Sequence, residues 1–496
     1  MSEIVKLTAK DGSTVEFVNK DPVQGGVKDV YFSPDKSYVV AFFRKKLDLP
    51  GRERNEKIVG KYRTQIFEEV GGDYWRNIFC WPEKLVEHEG RSGIVVPAYQ
   101  KCFFFSSGAL EGAEKEGKWF ASAKNFNHSV PPEEQGDLTK FIHICLNLSR
   151  GVRRLHAAGL AHSDLSYKNC LVDPKDGKAC IIDVDGLVVP GLYPPDVVGT
   201  PDFIAPEVVA TFNLEKSQRK LPCRATDLHA LAVLIYQYLF HRHPLRGRKV
   251  WSQEDDVQER LEMGEKALFI ENPHDKSNSF DDRDKDDMKR LQPWCDVAKL
   301  PYTSMGPYLK EMFEKAFIEG LHNPSARPSA NDWEDAILKT ADLIQTCSNP
   351  NCVNKYFVYN NQARPACPCC GARYTEKFPI FDFYITLNGV DYRPENRRMV
   401  IFNGQSLYQW HVDRQVVSNE KLAAEQQKRV GYFQLHKGNW LLCNQTAPDM
   451  VLVVEDGKRV NRPIQPGGYV VLKEGQQILL KKGTSGRFVN VKFVNT

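Results

Sequence analysis

The chain has 496 residues, of which 42% are apolar and 26% charged, and its net charge is +4. This composition is ordinary for a folded globular protein and too mild in charge to indicate a nucleic-acid or membrane-surface ligand. The N-terminus contains no apolar signal segment, and the longest apolar run, residues 229–240, is shorter than the ~20 residues that span a bilayer. We therefore expect a cytoplasmic protein of about three domains, with no nucleic acid and no membrane among its partners.

The first hundred residues predict a small lobe rich in β-structure. Short apolar or alternating segments at 15–18, 27–32 and 38–43, separated by turn residues, predict three antiparallel strands. A helix is expected over about 53–67. Two further strands are expected at 84–89 and 93–99, so the predicted small lobe covers 1–99.

The next part of the chain carries three motifs in close succession. Residues 138–156 place apolar side chains at intervals of three and four, which predicts a helix with one buried face. The segment LHAAGLAHSDLSYKN follows and contains H-x-D-L-x-x-x-N. An apolar strand at 179–183 then ends on an aspartate, and residues 199–207 read GTPDFIAPE.

This succession resembles the catalytic domain of eukaryotic-type Ser/Thr protein kinases. The resemblance implies an α+β, two-lobed kinase fold with a small lobe at 1–99 and a large lobe at 100–345. It implies transfer of the γ-phosphate of ATP, bound with Mg²⁺ or Mn²⁺, to Ser or Thr of a protein substrate. In that pattern Asp164 is the base that accepts the hydroxyl proton, and Asn169 and Asp183 hold the metal.

Other residues in the large lobe depart from the pattern or complete it. Ser/Thr kinases usually have a lysine where Ser166 stands, and Lys168 is our candidate for stabilising the transferred phosphate. Asp185 replaces the glycine of the D-F-G motif, either as a second metal ligand or as a cap of the turn. The resemblance implies scaffold roles for Glu207, Arg327 and Asp227. Glu207 and Arg327 should form an ion pair.

The resemblance also implies nucleotide contacts in the small lobe. Gly25 and Gly26 stand where the Gly-rich loop would cover the phosphates, although a simple hairpin turn explains them as well. Pro97 and Tyr99 lie in the expected hinge against adenine. Proline has no N–H, so the hinge donor must come from neighbouring backbone.

The lysine that kinases carry on the third strand is missing, because Phe43 occupies its place. The nearest cations are residues 44–46, of which we choose Arg44. Its glutamate partner on the next helix would be Glu56 or Glu53. This departure leaves an alternative function, a catalytically inactive pseudokinase that binds nucleotide and partner proteins as a scaffold.

Five of the 13 cysteines are clustered between Cys347 and Cys370. Cys347 and Cys352 form one knuckle, and Cys367 and Cys370 form a second one fourteen residues later. Two such knuckles present four thiolates, which suit a tetrahedral, structural Zn²⁺. We predict a zinc ribbon over 346–376, with Cys369 as the spare thiol.

The remainder, 377–496, has short strand-like runs with glycine turns, which predict an all-β sandwich with a possible helix near 419–428. Its later segments read GYFQLHKGNWLLCN at 431–444, PGG at 466–468 and LKEGQQILL at 472–480. These segments resemble the later strands of forkhead-associated (FHA) domains, a resemblance that implies phosphothreonine binding. A sandwich that contacts proteins without binding phosphate is the alternative. The combination of kinase, ribbon and sandwich resembles the kinase of bacterial tellurite-resistance-type phosphorylation triads. That resemblance implies a PP2C-type phosphatase and a von Willebrand A-type protein as partners.

Overall fold

The computed structural model describes residues 3–68, 71–189, 192–193, 199–280 and 291–494. The chain forms two compact units. The first comprises Met1–Gly136, Lys140–Ala298 and Met312–Glu334, and the second comprises Asp137–Thr139, Lys299–Glu311 and Asp335–Thr496. Among the described residues, no helix combines the length and the apolar character that crossing a membrane requires.

The N-terminal part of the first unit contains the strands that the sequence predicts and two that it does not. A two-stranded sheet pairs β1 with β2, and a five-stranded antiparallel sheet has the order β3-β4-β5-β7-β6. The unpredicted strands are β1 and β3. The bounds are β1 Glu3–Thr8, β2 Thr14–Asn19, β3 Val23–Gln24, β4 Lys28–Phe32, β5 Tyr38–Phe43, β6 Lys84–His88 and β7 Arg91–Pro97.

The helix expected near 53–67 is longer and contains a π-helical turn. Helix α1 (Leu49–Lys57) begins after Asp48, whose carboxylate accepts a hydrogen bond from the Gly51 N–H. It continues through the π turn Ile58–Tyr62 into α2 (Arg63–Phe67). A π turn inserts an extra residue into the helix and shifts which side chains face inward, so an ideal 3.6-residue period does not predict its inner face.

The rest of the first unit is mainly helical and is built around one buried helix. Helix α7 carries the apolar run of residues 229–240, and nearly all of its side chains are buried. A β8–β9 hairpin precedes it in sequence. The bounds are α3 Gly72–Ile78, α4 Ala123–His128, α5 Leu138–Ala157, β8 Cys170–Asp173, β9 Lys178–Ile181, α6 Pro206–Val209, α7 Arg224–Phe240, α8 Asp255–Met263, α9 Gly306–Glu314 and α10 Ala330–Ala341.

The second unit is an antiparallel β-sandwich preceded by a small cysteine-rich segment. Its sheets have the orders β13-β12-β21-β20-β17-β18 and β14-β15-β16-β19, and the rings of Phe381 and Phe433 meet between them at 5.3 Å. Residues 419–428 form turns, so the helix expected there is absent. The bounds are β10 Ile344–Thr346, β11 Tyr356–Val358, β12 Phe378–Thr386, β13 Tyr392–Val400, β14 Ser406–Tyr408, α11 Gln409–Val412, β15 Arg429–His436, β16 Asn439–Asn444, β17 Val451–Glu455, β18 Lys458–Pro463, β19 Tyr469–Val471, β20 Gln477–Leu479 and β21 Arg487–Val494.

A buried ionic triad ties the segment before α4 to strand β8. The Lys115 ammonium lies 2.7 Å from a Glu134 oxygen and 2.8 Å from an Asp173 oxygen, and all three side chains are almost completely inaccessible. Glu134 also accepts from the Ser106 N–H at 3.0 Å. Burial acts to raise the pKa of Glu134, but the bonds from Lys115 and Ser106 outweigh it and lower that pKa to about 2.

We predict that Lys115→Met lowers the free energy of unfolding of the first unit by about 3–5 kcal/mol, because two buried carboxylates lose their counter-charge. Lys118→Met is the matched control, since Lys118 pairs with Glu116 at a more exposed position and such pairs contribute ~0–1 kcal/mol. Urea unfolding of the two variants measures the difference. Equal stability of the two variants would contradict a structural role for the triad.

Candidate active site

The loop between α5 and β8 is fixed by the first turn of α7. The backbone N–H groups of His162 and Ser163 donate to the buried carboxylate of Asp227 at 2.8 and 3.0 Å. The His162 ring bonds to the Ile182 carbonyl at 3.0 Å. Ser163 has a φ of 67°, a left-handed conformation that costs a non-glycine residue about 1–3 kcal/mol, and the bond to Asp227 helps to hold it there.

The loop brings the proposed base and one proposed metal ligand together. The Asn169 side-chain amide donates to the Asp164 carbonyl at 2.8 Å and to the Asp164 carboxylate at 3.0 Å. Since these bonds use Nδ2, the Asn169 Oδ1 atom is the oxygen left for a cation. The Thr200 hydroxyl donates to the other Asp164 oxygen at 2.9 Å and lies 3.2 Å from the Ser166 hydroxyl.

Lys168 lies in the same loop with an exposed side chain. Its backbone N–H donates to the hydroxyl of Ser166 at 3.2 Å, and Ser166 itself is fully buried. The serine at the usual lysine position is therefore part of the packed loop. Lys168 is the loop cation that faces solvent, where an incoming substrate would approach.

The acidic motif after β9 holds a buried lysine that the sequence did not single out. The Lys28 ammonium lies 3.0 Å from Asp183 and 2.6 and 2.7 Å from the two oxygens of Asp185. The side chains of Lys28 and Asp185 are 13% and 10% exposed, whereas Asp183 is 52% exposed. Both oxygens of the Asp185 carboxylate are thus engaged by Lys28, and the two roles considered for Asp185, metal ligand and turn cap, stay predictions.

The two carboxylates keep Lys28 charged in spite of its burial. Burial acts to lower the pKa of Lys28, but attraction to Asp185 and Asp183 outweighs burial and the pKa is raised. For Asp183, burial acts to raise the pKa and Lys28 lowers it, with a net lowering. For Asp185, burial outweighs the lowering by Lys28 and the pKa is raised. Asp183 is accordingly the more readily ionised oxygen donor for a divalent cation.

The structure does not bring the predicted cation to the acidic motif. The Arg44 Nε atom donates to Asp29 at 2.8 Å, and its guanidinium also bonds the carbonyl of Gly25. Glu56 pairs with Lys10 at 2.6 Å. The alternative glutamate, Glu53, accepts from the hydroxyl of Tyr193 at 3.3 Å.

A signal for Lys28 was present in the sequence. Strands β4 and β5 are joined by a short turn, and the register places Lys28 directly opposite Phe43, just as Phe32 lies opposite Val39. In an antiparallel hairpin the residue numbers of each cross-strand pair have the same sum, and both of these pairs obey that rule. The predicted strands and the turn between them therefore suffice to place Lys28 opposite Phe43. The missing lysine thus lies on the neighbouring strand and not along the third strand.

The remaining nucleotide-binding candidates lie on the strand ends of the small sheet. Gly25 and Gly26 are exposed in the turn between β3 and β4. In the expected hinge, the Pro97 carbonyl accepts from the Cys80 thiol at 3.4 Å and the Ala98 N–H donates to the Ser37 carbonyl at 3.0 Å. The Pro97 carbonyl and the Ala98 N–H are therefore both engaged within the protein.

Tyr99, the other hinge candidate, packs its side chain against a buried cluster that includes Leu171 and Cys180. Burial raises the pKa of its hydroxyl. The ring therefore belongs to the core beneath the hinge. A contact of Tyr99 with nucleotide would come from its backbone.

The scaffold pair expected from the GTPDFIAPE motif is formed. Arg327 makes a two-pronged ion pair with Glu207, at 2.8 and 2.7 Å. The Arg327 guanidinium also donates to the Ala225 carbonyl at 2.9 Å. Charge-assisted, bidentate bonds of this kind are strong and directional, so the motif is anchored next to the start of α7.

In the second unit, four cysteine sulfur atoms converge. The sulfur atoms of Cys347, Cys352, Cys367 and Cys370 all lie within 4.8 Å of one another. Two of the separations are 3.5 and 3.8 Å, and a tetrahedral zinc with bonds of ~2.3 Å requires sulfur atoms ~3.8 Å apart. Cys369 is buried outside this group. The donor set and its spacing fit Zn²⁺.

Comparisons with known proteins bear on the first unit. Residues 120–336 match the family described as "Protein kinase domain". "Probable serine/threonine-protein kinase RTK1" of Saccharomyces cerevisiae is 33% identical over 110 residues, which cover 21% of this chain and 16% of that protein. "Serine/threonine-protein kinase PknD" of Chlamydia felis is 27% identical over 143 residues, which cover 24% of this chain and 14% of that protein. The chain thus spans less than a fifth of the length of these relatives.

One solved structure covers more of the chain. It is the "Crystal structure of Toxoplasma gondii specific rhoptry antigen kinase domain", which covers 68% of this chain and 86% of its own, with a TM-score of 0.41 and 12% identity.

Proposed function

We propose that this chain, whose residues 120–336 match the protein kinase domain family, transfers the γ-phosphate of Mg-ATP to Ser or Thr of a protein substrate. The observation that carries the proposal is the arrangement around Asp164. Asn169 and Thr200 bond to its two carboxylate oxygens, so the carboxylate is oriented before any substrate binds. Pre-oriented groups of this kind are the main means by which a protein accelerates phosphoryl transfer.

Each residue of the site has a defined task in this mechanism. The Asp164 carboxylate accepts the proton of the substrate hydroxyl as that oxygen attacks the phosphate in line. Asn169 Oδ1 and the half-exposed Asp183 carboxylate would hold Mg²⁺ or Mn²⁺. The bound metal supplies charge neutralisation between the phosphates. Lys168 offers a solvent-facing positive charge to the transferred group.

The alternative of a catalytically inactive scaffold rested on the phenylalanine at position 43 and on the reduced Gly-rich loop at Gly25 and Gly26. A buried ammonium opposite that phenylalanine, provided by Lys28, argues against the first of these two grounds. The loop between α5 and β8 retains the Asp164 carboxylate and the Asn169 amide, which a scaffold does not need. Phosphate transfer is therefore the function that we favour.

We predict that the wild-type protein transfers labelled γ-phosphate from Mg-ATP to itself or to a generic protein substrate. Asp164→Ala and Asp183→Ala should each reduce transfer at least ~100-fold, since one removes the base and the other a metal ligand. Asp176→Ala is the matched control, because Asp176 is an exposed aspartate paired with Lys178 in the same lobe. Absence of transfer by the wild type, or full transfer by Asp164→Ala, would contradict the proposal.

We further propose that Cys347, Cys352, Cys367 and Cys370 bind a structural zinc. All four tetrahedral positions are filled by thiolates, so no open position remains for substrate. The metal would stabilise the cysteine-rich segment and take no part in phosphate transfer.

We predict that Cys347→Ser lowers the zinc content of the purified protein and the melting temperature of the second unit, because three thiolates bind zinc more weakly than four. Cys369→Ser is the matched control, since Cys369 is also buried but lies outside the sulfur group, and its zinc content should equal that of the wild type. Metal analysis by mass spectrometry and calorimetry measure the two effects. Loss of zinc in Cys369→Ser alone would contradict the ligand assignment.

The wider setting rests on the family resemblance. We propose a bacterial phosphorylation system in which a PP2C-type phosphatase and a von Willebrand A-type protein are partners. The FHA-like identity of the sandwich, the zinc ribbon as a fold and the domain boundaries at residues 99, 345 and 376 remain predictions, as does a cytoplasmic location.

A further inference from the structure

The register of the small sheet places a lysine where the kinase pattern has one, but from a different strand. Lys28 in β4 is the direct cross-strand partner of Phe43 in β5. Side chains of such partners leave the same face of a sheet, with Cβ atoms about 4.5–5.5 Å apart. The Lys28 ammonium accordingly lies 5.4 Å from the centre of the Phe43 ring. An ammonium from position 28 and one from position 43 would reach the same space.

The partner that holds this ammonium comes from the loop after β9. Both oxygens of Asp185 contact the Lys28 ammonium, and Asp185 is almost fully buried, whereas Asp183 offers one oxygen and is half-exposed. A cation entering the cleft can reach the exposed Asp183 carboxylate without disturbing Asp185. Asp185 is therefore the lasting anchor of Lys28, and Asp183 remains available as a metal ligand.

Helix α1 does not supply the expected carboxylate to Lys28. Its two glutamates make their contacts elsewhere: Glu56 pairs with Lys10, and Glu53 accepts from the Tyr193 hydroxyl. Arg54 of the same helix is 5% exposed, and burial lowers its pKa.

We infer that Lys28 is the cation that contacts the phosphates of the nucleoside triphosphate, and that Asp185 positions it in place of a helix glutamate. The inference deepens the proposed kinase function and rests on it. It assigns a chemical purpose to the aspartate that replaces the glycine of the D-F-G motif. The carboxylate of the usual lysine–glutamate pair has moved from the helix to this loop.

The first measurement is Mg-ATP affinity by titration calorimetry, together with kcat and KM for phosphate transfer. Lys28→Met should weaken Mg-ATP binding about 10- to 100-fold, as expected for the loss of charge-assisted bonds to phosphate. Lys20→Met, at an exposed lysine of the same lobe, should leave affinity unchanged. Arg44→Met tests the competing assignment: a larger loss there than in Lys28→Met would overturn the inference.

A relocated lysine distinguishes a lost cation from a damaged fold. The double variant Lys28→Met/Phe43→Lys returns an ammonium to the same face of the sheet from the opposite strand. We expect it to recover at least about tenfold of the affinity that Lys28→Met loses. If Lys28→Met does not fold, the double variant carries the test: a folded protein that binds Mg-ATP supports the inference, and a folded protein that does not bind overturns it.

A double-mutant cycle tests the positioning role of Asp185. If Asp185 acts through Lys28, Asp185→Asn should lower kcat and affinity by itself but add little in the Lys28→Met background. Independent, multiplying losses would show that Asp185 has another role and would overturn that part of the inference. A merely structural role would lower melting temperature in both backgrounds to the same extent.

The binding readout separates this inference from the proposed function. A wild-type protein that binds Mg-ATP but transfers no phosphate would contradict kinase activity and leave the Lys28 assignment to be decided by the affinities. If the wild-type protein transfers phosphate and the Lys28→Met variant binds Mg-ATP with wild-type affinity, the kinase function stands and the Lys28 assignment is overturned.

Discussion

A buried ammonium between two carboxylates is the constraint on which the arrangement of the cleft depends. Lys28 is 13% exposed and can remain charged there only because Asp183 and Asp185 compensate for the loss of water. These contacts tie strand β4 of the small sheet to the loop that follows β9. Asp183 itself has a left-handed backbone conformation, with a φ of 59°. The side chain that would hold metal and the cation that would meet phosphate are thereby positioned together.

A second set of contacts fixes the opposite side of the site and does so from the core outward. Helix α7 is buried almost throughout, and its Asp227 accepts the backbone N–H groups of His162 and Ser163. Arg327 holds Glu207 close to the start of the same helix. The loop between α5 and β8 and the GTPDFIAPE motif are therefore both anchored to α7. These anchors place Asn169 and Thr200 where both bond to the Asp164 carboxylate.

The sequence predicted those parts of the site whose residues are close together in the chain. The loop from His162 to Asn169 is a local motif, and the four cysteines are paired by short spacings, so chemistry and position could be inferred together. The small lobe was harder, because its site is assembled across strands. Arg44 is adjacent in sequence to the vacant lysine position but bonds to Asp29, whereas Lys28 is fifteen residues away and lies directly opposite. The π turn Ile58–Tyr62 likewise changes which side chains of the helix face inward, so a regular helical period does not predict them.

The charges around Asp185 bear on how such a site is switched. In the usual kinase pattern, the ion pair joins a strand to a helix, so a movement of the helix breaks it. Here Lys28 and Asp185 come from a strand and from the metal-binding loop, and the pair does not require a glutamate from α1. Glu53 of the helix instead accepts a hydrogen bond from Tyr193 of the segment before GTPDFIAPE. Withdrawing the helix would therefore leave the contact between Lys28 and Asp185 in place. The ion pair between Lys28 and Asp185 thus depends on the register of β4 and β5 and on the sequence of the loop after β9. The position of the Lys28 side chain is therefore determined by the fold of the sheet.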